Sequence, residues 1–129
     1  MKISDLMQSS DFKDLQVWQK SILLAKEVYR LDKFLPKDET FALSDQMRRS
    51  AISISSNIAE GNGRNSEKDF IRFLLFARGS LCELESQIYV GKEIGYFSDA
   101  AVASLLLLCA EINRMLRSLI NYLERKSSR

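Results

Sequence analysis

Histidine is absent from all 129 residues of this chain. That removes the commonest general base and the usual nitrogen ligand for transition metals. A di-iron bundle, which needs Glu-x-x-His on two of its helices, cannot be built. The two cysteines, Cys82 and Cys109, lack the Cys-x-x-Cys spacing of a zinc or dithiol site. Both sit in helical segments and read as buried free thiols of a reducing cytoplasm. Glu83 and Glu85 point about 200° apart on a helix and cannot share a metal. Gly61-Asn62-Gly63-Arg64 has neither the preceding strand nor the following Gly-Lys-Ser/Thr of a phosphate loop. No metal, cofactor, small-molecule substrate or catalytic constellation is expected, and the chain reads as a non-enzyme.

One proline and five glycines leave little room for a turn-rich β fold. The most apolar run, Ala100 to Ala110, is interrupted by Ser104 and falls short of the roughly 20 residues a membrane span requires. Met1 to Asp11 has no apolar signal core. A soluble cytoplasmic protein without membrane contact is expected. The formal net charge is only +2, so any binding of an acidic partner depends on local clustering rather than on the sum.

Abundant Leu, Ala, Arg, Lys and Glu favour helix, and the apolar periodicity predicts four helices. The first runs from about Phe12 to Phe34 and ends at Leu35-Pro36. Its inner stripe is Leu15, Trp18, Ile22, Ala25 and Tyr29, beside a second ladder of Val17, Ser21, Leu24, Val28, Leu31 and Leu35. The second begins near Asp38 to Thr40 and continues to about Glu60, with Leu43, Met47, Ala51, Ile54 and Ile58 inward. Gly61 or Gly63 closes it in the left-handed conformation. Ser66 caps the third, with Asp69 in the capping-box position, and Phe70, Phe73, Leu74, Ala77, Leu81, Leu84 and Ile88 form its stripe. Gly95 stops it. Ser98 caps the fourth, whose ladder is Val102, Leu105, Cys109, Ile112, Leu116, Leu119 and Leu123. Short connections make neighbours antiparallel, so the fold class is an all-α, up-down-up-down four-helix bundle. It forms one domain over 12–126, with a flexible tail at 1–11 and a disordered end at 127–129.

Two runs, Ser53-Ile54-Ser55-Ser56-Asn57-Ile58-Ala59-Glu60-Gly61 and Ala77-Arg78-Gly79-Ser80-Leu81-Cys82-Glu83-Leu84-Glu85, carry more small and polar residues than core packing needs. Close helix contact, a buried polar network and a partner surface each account for them. Arg49, Asn57, Glu60, Arg64, Arg78 and Glu83 read as an ion-pair and hydrogen-bond network, with Arg49 reaching Glu60 or Glu83. Alternatively Arg48, Arg49, Arg64, Lys68 and Arg72 gather about the second turn as a phosphate-facing surface, or are simply a solvated face.

Outward apolar residues Phe41, Ile52 and Ala59 lie almost opposite the core of the second helix. Ile71, Leu75, Arg78, Cys82, Glu85 and Tyr89 make a second seam on the third. A subunit interface centred on Phe41, Ile52, Ala59, Ile71, Leu75 and Arg78 is one reading, and contact with two neighbouring helices is the other.

The two runs, with Met47-Arg48-Arg49-Ser50-Ala51 and Phe70-Ile71-Arg72-Phe73-Leu74, resemble the four-helix-bundle family encoded in intervening sequences of bacterial 23S ribosomal RNA genes. The opening Phe12-Lys13-Asp14-Leu15-Gln16-Val17-Trp18-Gln19-Lys20 and Ser56-Asn57-Ile58-Ala59-Glu60-Gly61 are its most specific marks, and the likeness spans about Phe12 to Arg125. A bundle related to that family is the accessory variability protein of diversity-generating retroelements, a ring of five that binds nucleic acid and a reverse transcriptase. The resemblance implies a bundle, a homopentamer and a nucleic-acid-binding role. The net charge departs from the strongly basic balance of the retroelement relative. The function expected is a homo-oligomeric binding module that contacts structured RNA or a nucleic-acid-processing partner. A protein–protein scaffold without nucleic-acid affinity is the alternative.

Overall fold

The computed structural model describes residues 11–40 and 42–128. One 3-10 turn, Phe12–Asp14, precedes four helices, α1 Gln16–Asp32, α2 Leu43–Asn62, α3 Glu67–Ile94 and α4 Asp99–Ser127, and a second lies between α1 and α2. Each packs on its sequence neighbour and α1 closes onto α4, giving the antiparallel square of an all-α four-helix bundle.

The helix ends follow from local chemistry. Ser66 Oγ accepts the Asp69 amide at 3.0 Å, and Ser98 Oγ accepts that of Ala101 at 3.2 Å, each satisfying a donor the helix leaves orphaned. Gly95 ends α3 at φ +94, where its lack of a Cβ removes the left-handed penalty. There the amide of Tyr96 reaches back to the carbonyl of Gly91 at 2.9 Å.

At the end of α2 the expectation differs from the structure. Gly63 caps it at φ −81, and Gly95 alone among the described residues has positive φ. The chain leaves α2 through extended backbone at Ser66, so no left-handed residue is needed. Gly61 serves another purpose: a Cβ there would stand 2.8 Å from both Phe70 Cδ1 and Phe73 Cβ on α3.

Three ladders are buried as read, except that Leu43 at the start of α2 is half-buried. Met47, Ala51, Ile54 and Ile58 line α2, and Phe70, Leu74, Ala77, Leu81, Leu84 and Ile88 line α3. Val102, Leu105, Cys109, Ile112, Leu116, Leu119 and Leu123 line α4. Phe73 is half-buried at the margin.

Helix α1 is turned from its expected orientation. Its buried face is Val17, Ser21, Leu24, Val28 and Asp32, while Trp18, Ile22 and Ala25 are half-buried and Tyr29 is exposed. The smaller ladder lets α1 nest between α2 and α4. The large rings lie at the edge, Trp18 edge-on to Phe12 at 5.2 Å, where an amphipathic ring keeps its polar tip wet. Leu15 is fully buried but extended, so the helix begins after it. Between α1 and α2 a 3-10 turn, Lys37–Glu39, delays the second helix to Leu43. At the far end Ser127, expected in a disordered stretch, is helical and donates its hydroxyl to Glu67 at 2.9 Å. Apart from Asp11, the expected tail lies outside the described residues. No helix among them is long and apolar enough to cross a membrane.

Candidate nucleic-acid and subunit interfaces

The polar run on α2 faces α3, and α2–α3 is the most closely joined pair of the bundle. Ser53 and Ser80 hydroxyls meet at 2.8 Å across the seam. Asn57 Nδ2 donates to the Ser53 carbonyl at 2.8 Å and to its hydroxyl at 3.0 Å. One turn on, Gly61 lets the Phe70 and Phe73 side chains come against the α2 backbone. Ser53, Ser80 and Gly61 thus act in close helix packing, with one short hydroxyl bridge where long apolar side chains would hold the backbones apart.

The five cations divide between the two ends of α2. Arg49 and Arg64 are fifteen positions apart, about 22 Å at roughly 1.5 Å per residue. The expected single cluster is therefore two groups, because a helix that long separates what the turn was expected to gather.

In the first group Arg49 pairs with Asp45 at 2.9 Å, one turn back on its own helix, rather than with Glu60 or Glu83. Arg48 bends inward. It donates to Ser44 Oγ at 2.8 Å and to the Thr40 carbonyl at 3.4 Å, and lies 5.9 Å over the Tyr29 ring. Ser44 in turn donates to Asp32 Oδ2 at 3.0 Å, while Asp32 Oδ1 has no partner. Burial pushes the Asp32 carboxyl up to about 6, against the smaller opposing pull of the Ser44 hydrogen bond and Arg48.

The second group surrounds the α2–α3 turn. Arg64 pairs with Glu60 at 2.6 Å and lies 4.7 Å over the Phe73 ring. Arg72 approaches Asp69 at 3.5 Å and lies 5.0 Å over Phe73 and 5.9 Å over Phe76. The two rings meet edge-on at 5.6 Å, with Phe76 exposed. Lys68 is exposed and makes no ion pair among the described residues. Glu67 is held by Ser127 at 2.9 Å and Lys126 at 3.2 Å, which pull its carboxyl below the usual range, the Ser127 hydrogen bond most.

The residues expected at a subunit interface also divide. Ile52 is 45% exposed on α2 and Leu75 47% on α3, with Arg78 exposed beside it. Ala59 is half-buried, and Ile71 packs against the core edge. Phe41 lies outside the described residues. Cys82, expected to be buried, is exposed, because it stands on the seam that α3 turns to solvent. Cys109 is buried, and desolvation, with a smaller effect from Glu85, pushes its thiol up to about 12. The sequence reading missed Phe76, Val90 and above all Leu107, 71% exposed. A helical wheel holds the signal, since Leu107 lies two positions from both Leu105 and Cys109 and so faces away from them.

These features define an antiparallel helical bundle whose polar motif joins two of its own helices. More particularly, the chain belongs to the 23S rRNA-intervening sequence protein family, which it matches over residues 13–118. It is also similar to a crystal structure from Bacteroides thetaiotaomicron VPI-5482, a protein of unknown function from the S23 ribosomal protein family. The two are 32% identical over 81% of this chain and 97% of that one, with a TM-score of 0.75. No curated protein matches the chain.

Proposed function

We propose that this protein is a non-enzymatic, homo-oligomeric binding module of the cytoplasm that contacts structured RNA through the α2–α3 turn. The observation that carries the reading is the placing of Arg64 over Phe73 and of Arg72 over Phe73 and Phe76. Guanidinium groups held over ring faces are preorganised, and their remaining N–H groups can meet phosphate oxygens. The exposed ring of Phe76 offers a stacking surface, and Lys68 adds an unpaired charge. Arg48 and Arg49 contribute at most a separate contact, about 22 Å away along α2. The family's description makes 23S ribosomal RNA the first ligand to test. Exposed Ile52 and Leu75 support self-association, and the family's relation to the retroelement protein favours a ring of five.

Binding of ribosomal RNA fragments across a salt series tests the proposal. The expected result is a steep fall in affinity with salt, made shallower by about one unit when Arg72 becomes glutamine. No binding at low salt by the intact oligomer would refute it. One observation favours the scaffold reading in that event: Arg49, Arg64 and Arg72 each already have a carboxylate partner.

A further inference from the structure

Gly79 stands in mid-helix on α3 and faces solvent, and a Cβ added there would meet no atom within 4 Å. Glycine weakens a helix interior, and nothing inside this bundle requires one at that position. The face around it is as unusual. From Leu75 to Val90, an outward arc of about 100° holds Leu75, Gly79, Cys82, Ser86, Tyr89 and Val90, with Arg78 and Glu83 about 20° beyond its two edges. The outward side of an amphipathic helix is ordinarily its most charged side. Here Leu75, Tyr89 and Val90 are 47%, 48% and 45% exposed.

Helix α4 carries a complementary ridge. Ala103, Ser104, Leu107 and Ala110 all face solvent, and Leu107 is the one large side chain protruding among small ones. The heights of the two faces are fixed relative to each other. Glu67 bonds Ser127 and Lys126 at one end of the hairpin, and farther along Glu85 lies near enough to Cys109 to act on its thiol. Counting antiparallel between these points sets Leu107 level with Ser86, Ala103 with Val90, and Arg114 with Gly79.

Resting on the homo-oligomeric reading above, we infer that Leu107 of one copy seats in the hollow of Cys82, Ser86 and Tyr89 on α3 of a second copy. Members of a cyclic assembly are related by rotation without translation, so bundles standing along the axis meet at equal heights. Leu107 then meets the level of Ser86, where small side chains leave room for it. Charge agrees as well. Arg114 comes to the level of Gly79, one turn from Glu83, and neither Arg114 nor Glu83 has an ion-pair partner among the described residues. Pairing two α3 faces about a two-fold axis would instead bring Glu83 toward its own copy.

The direction of the faces suits closure. Outward corners of adjacent helices in a four-helix square point about 90° apart. A ring needs its two contact faces about 90° apart for four copies and about 108° for five. Contact between two different faces is what generates a ring rather than a dimer.

Cysteine cross-linking of the full chain tests the contact. In a Cys82→Ser background, Ser86→Cys and Leu107→Cys together are expected to give, on mild oxidation, a ladder of covalent oligomers ending at the ring size. Neither substitution alone should do so. Leu107→Arg, at a site already exposed, should keep its helix content by circular dichroism while light scattering at micromolar concentration falls to the monomer mass. Covalent dimers from Ser86→Cys alone would replace this contact with a two-fold one. An oligomer that neither cross-links through the pair nor yields to Leu107→Arg would overturn the inference and leave self-association standing. A monomeric unmodified protein would overturn both.

Discussion

Replacing Asp32 with asparagine probes the one buried carboxylate among the described residues. Its carboxyl is held at about 6 against an ordinary 3.8, chiefly by desolvation. At about 1.36 kcal/mol per pKa unit, that difference corresponds to at most about 3 kcal/mol of folding free energy. The native state binds this proton more tightly than the unfolded chain does. The stabilising contribution is therefore complete below about pH 4 and lost as pH rises through about 6.

Asparagine does not titrate. Stability of the variant relative to the parent should thus rise by about 1–3 kcal/mol between pH 4 and 7. A constant offset accompanies this, because an amide nitrogen would occupy the place where Oδ1 has no partner. A buried unsatisfied donor costs about 1–3 kcal/mol. The slope of the difference, rather than its absolute size, is the observable. Urea unfolding followed by circular dichroism at four pH values measures it. A difference constant within about 0.5 kcal/mol would refute the argument, and would mean that Asp32 is as well solvated in the native state as in the unfolded one.

Gly61→Ala should destabilise the bundle relative to Gly79→Ala by about 1–3 kcal/mol, since helix propensity cancels between them and only position 61 is overpacked; thermal melts of both variants check it. Leu84→Ala, at a fully buried site, should cost about 2–5 kcal/mol, whereas exposed Arg125→Ala should change stability by less than about 0.5 kcal/mol in the same urea titration. Cys109 should resist iodoacetamide at pH 8 until denaturant is added, because its thiol is buried and pushed up to about 12; intact-mass spectrometry reads the outcome.

The helices were legible because their signals are local. Apolar spacing along α2, α3 and α4, serine caps at Ser66 and Ser98, and a stop at Gly95 each depend on residues within a turn or two. Short connections then leave an antiparallel bundle as the way to bury four apolar faces. Family membership was legible too, since it rests on residues in order. What the chain could not disclose alone was anything set by distance or by which neighbour a side chain meets.

Helix α1 offers two adjacent ladders, and packing against α2 and α4 selected the one with Val17, Ser21, Leu24 and Val28 over the one with larger rings, ending it at Asp32. Arg48 and Arg49 sit by Arg64 in a reading of the turn, yet a helix rise of about 1.5 Å per residue parts them. Gly61, Gly79 and Gly95 are the same residue type in sequence. Tertiary structure makes the first a point of close helix approach, the second an unoccupied surface, and the third a left-handed stop. That distinction depends on which atoms lie within about 4 Å of a missing Cβ, and only the packed bundle brings those atoms there.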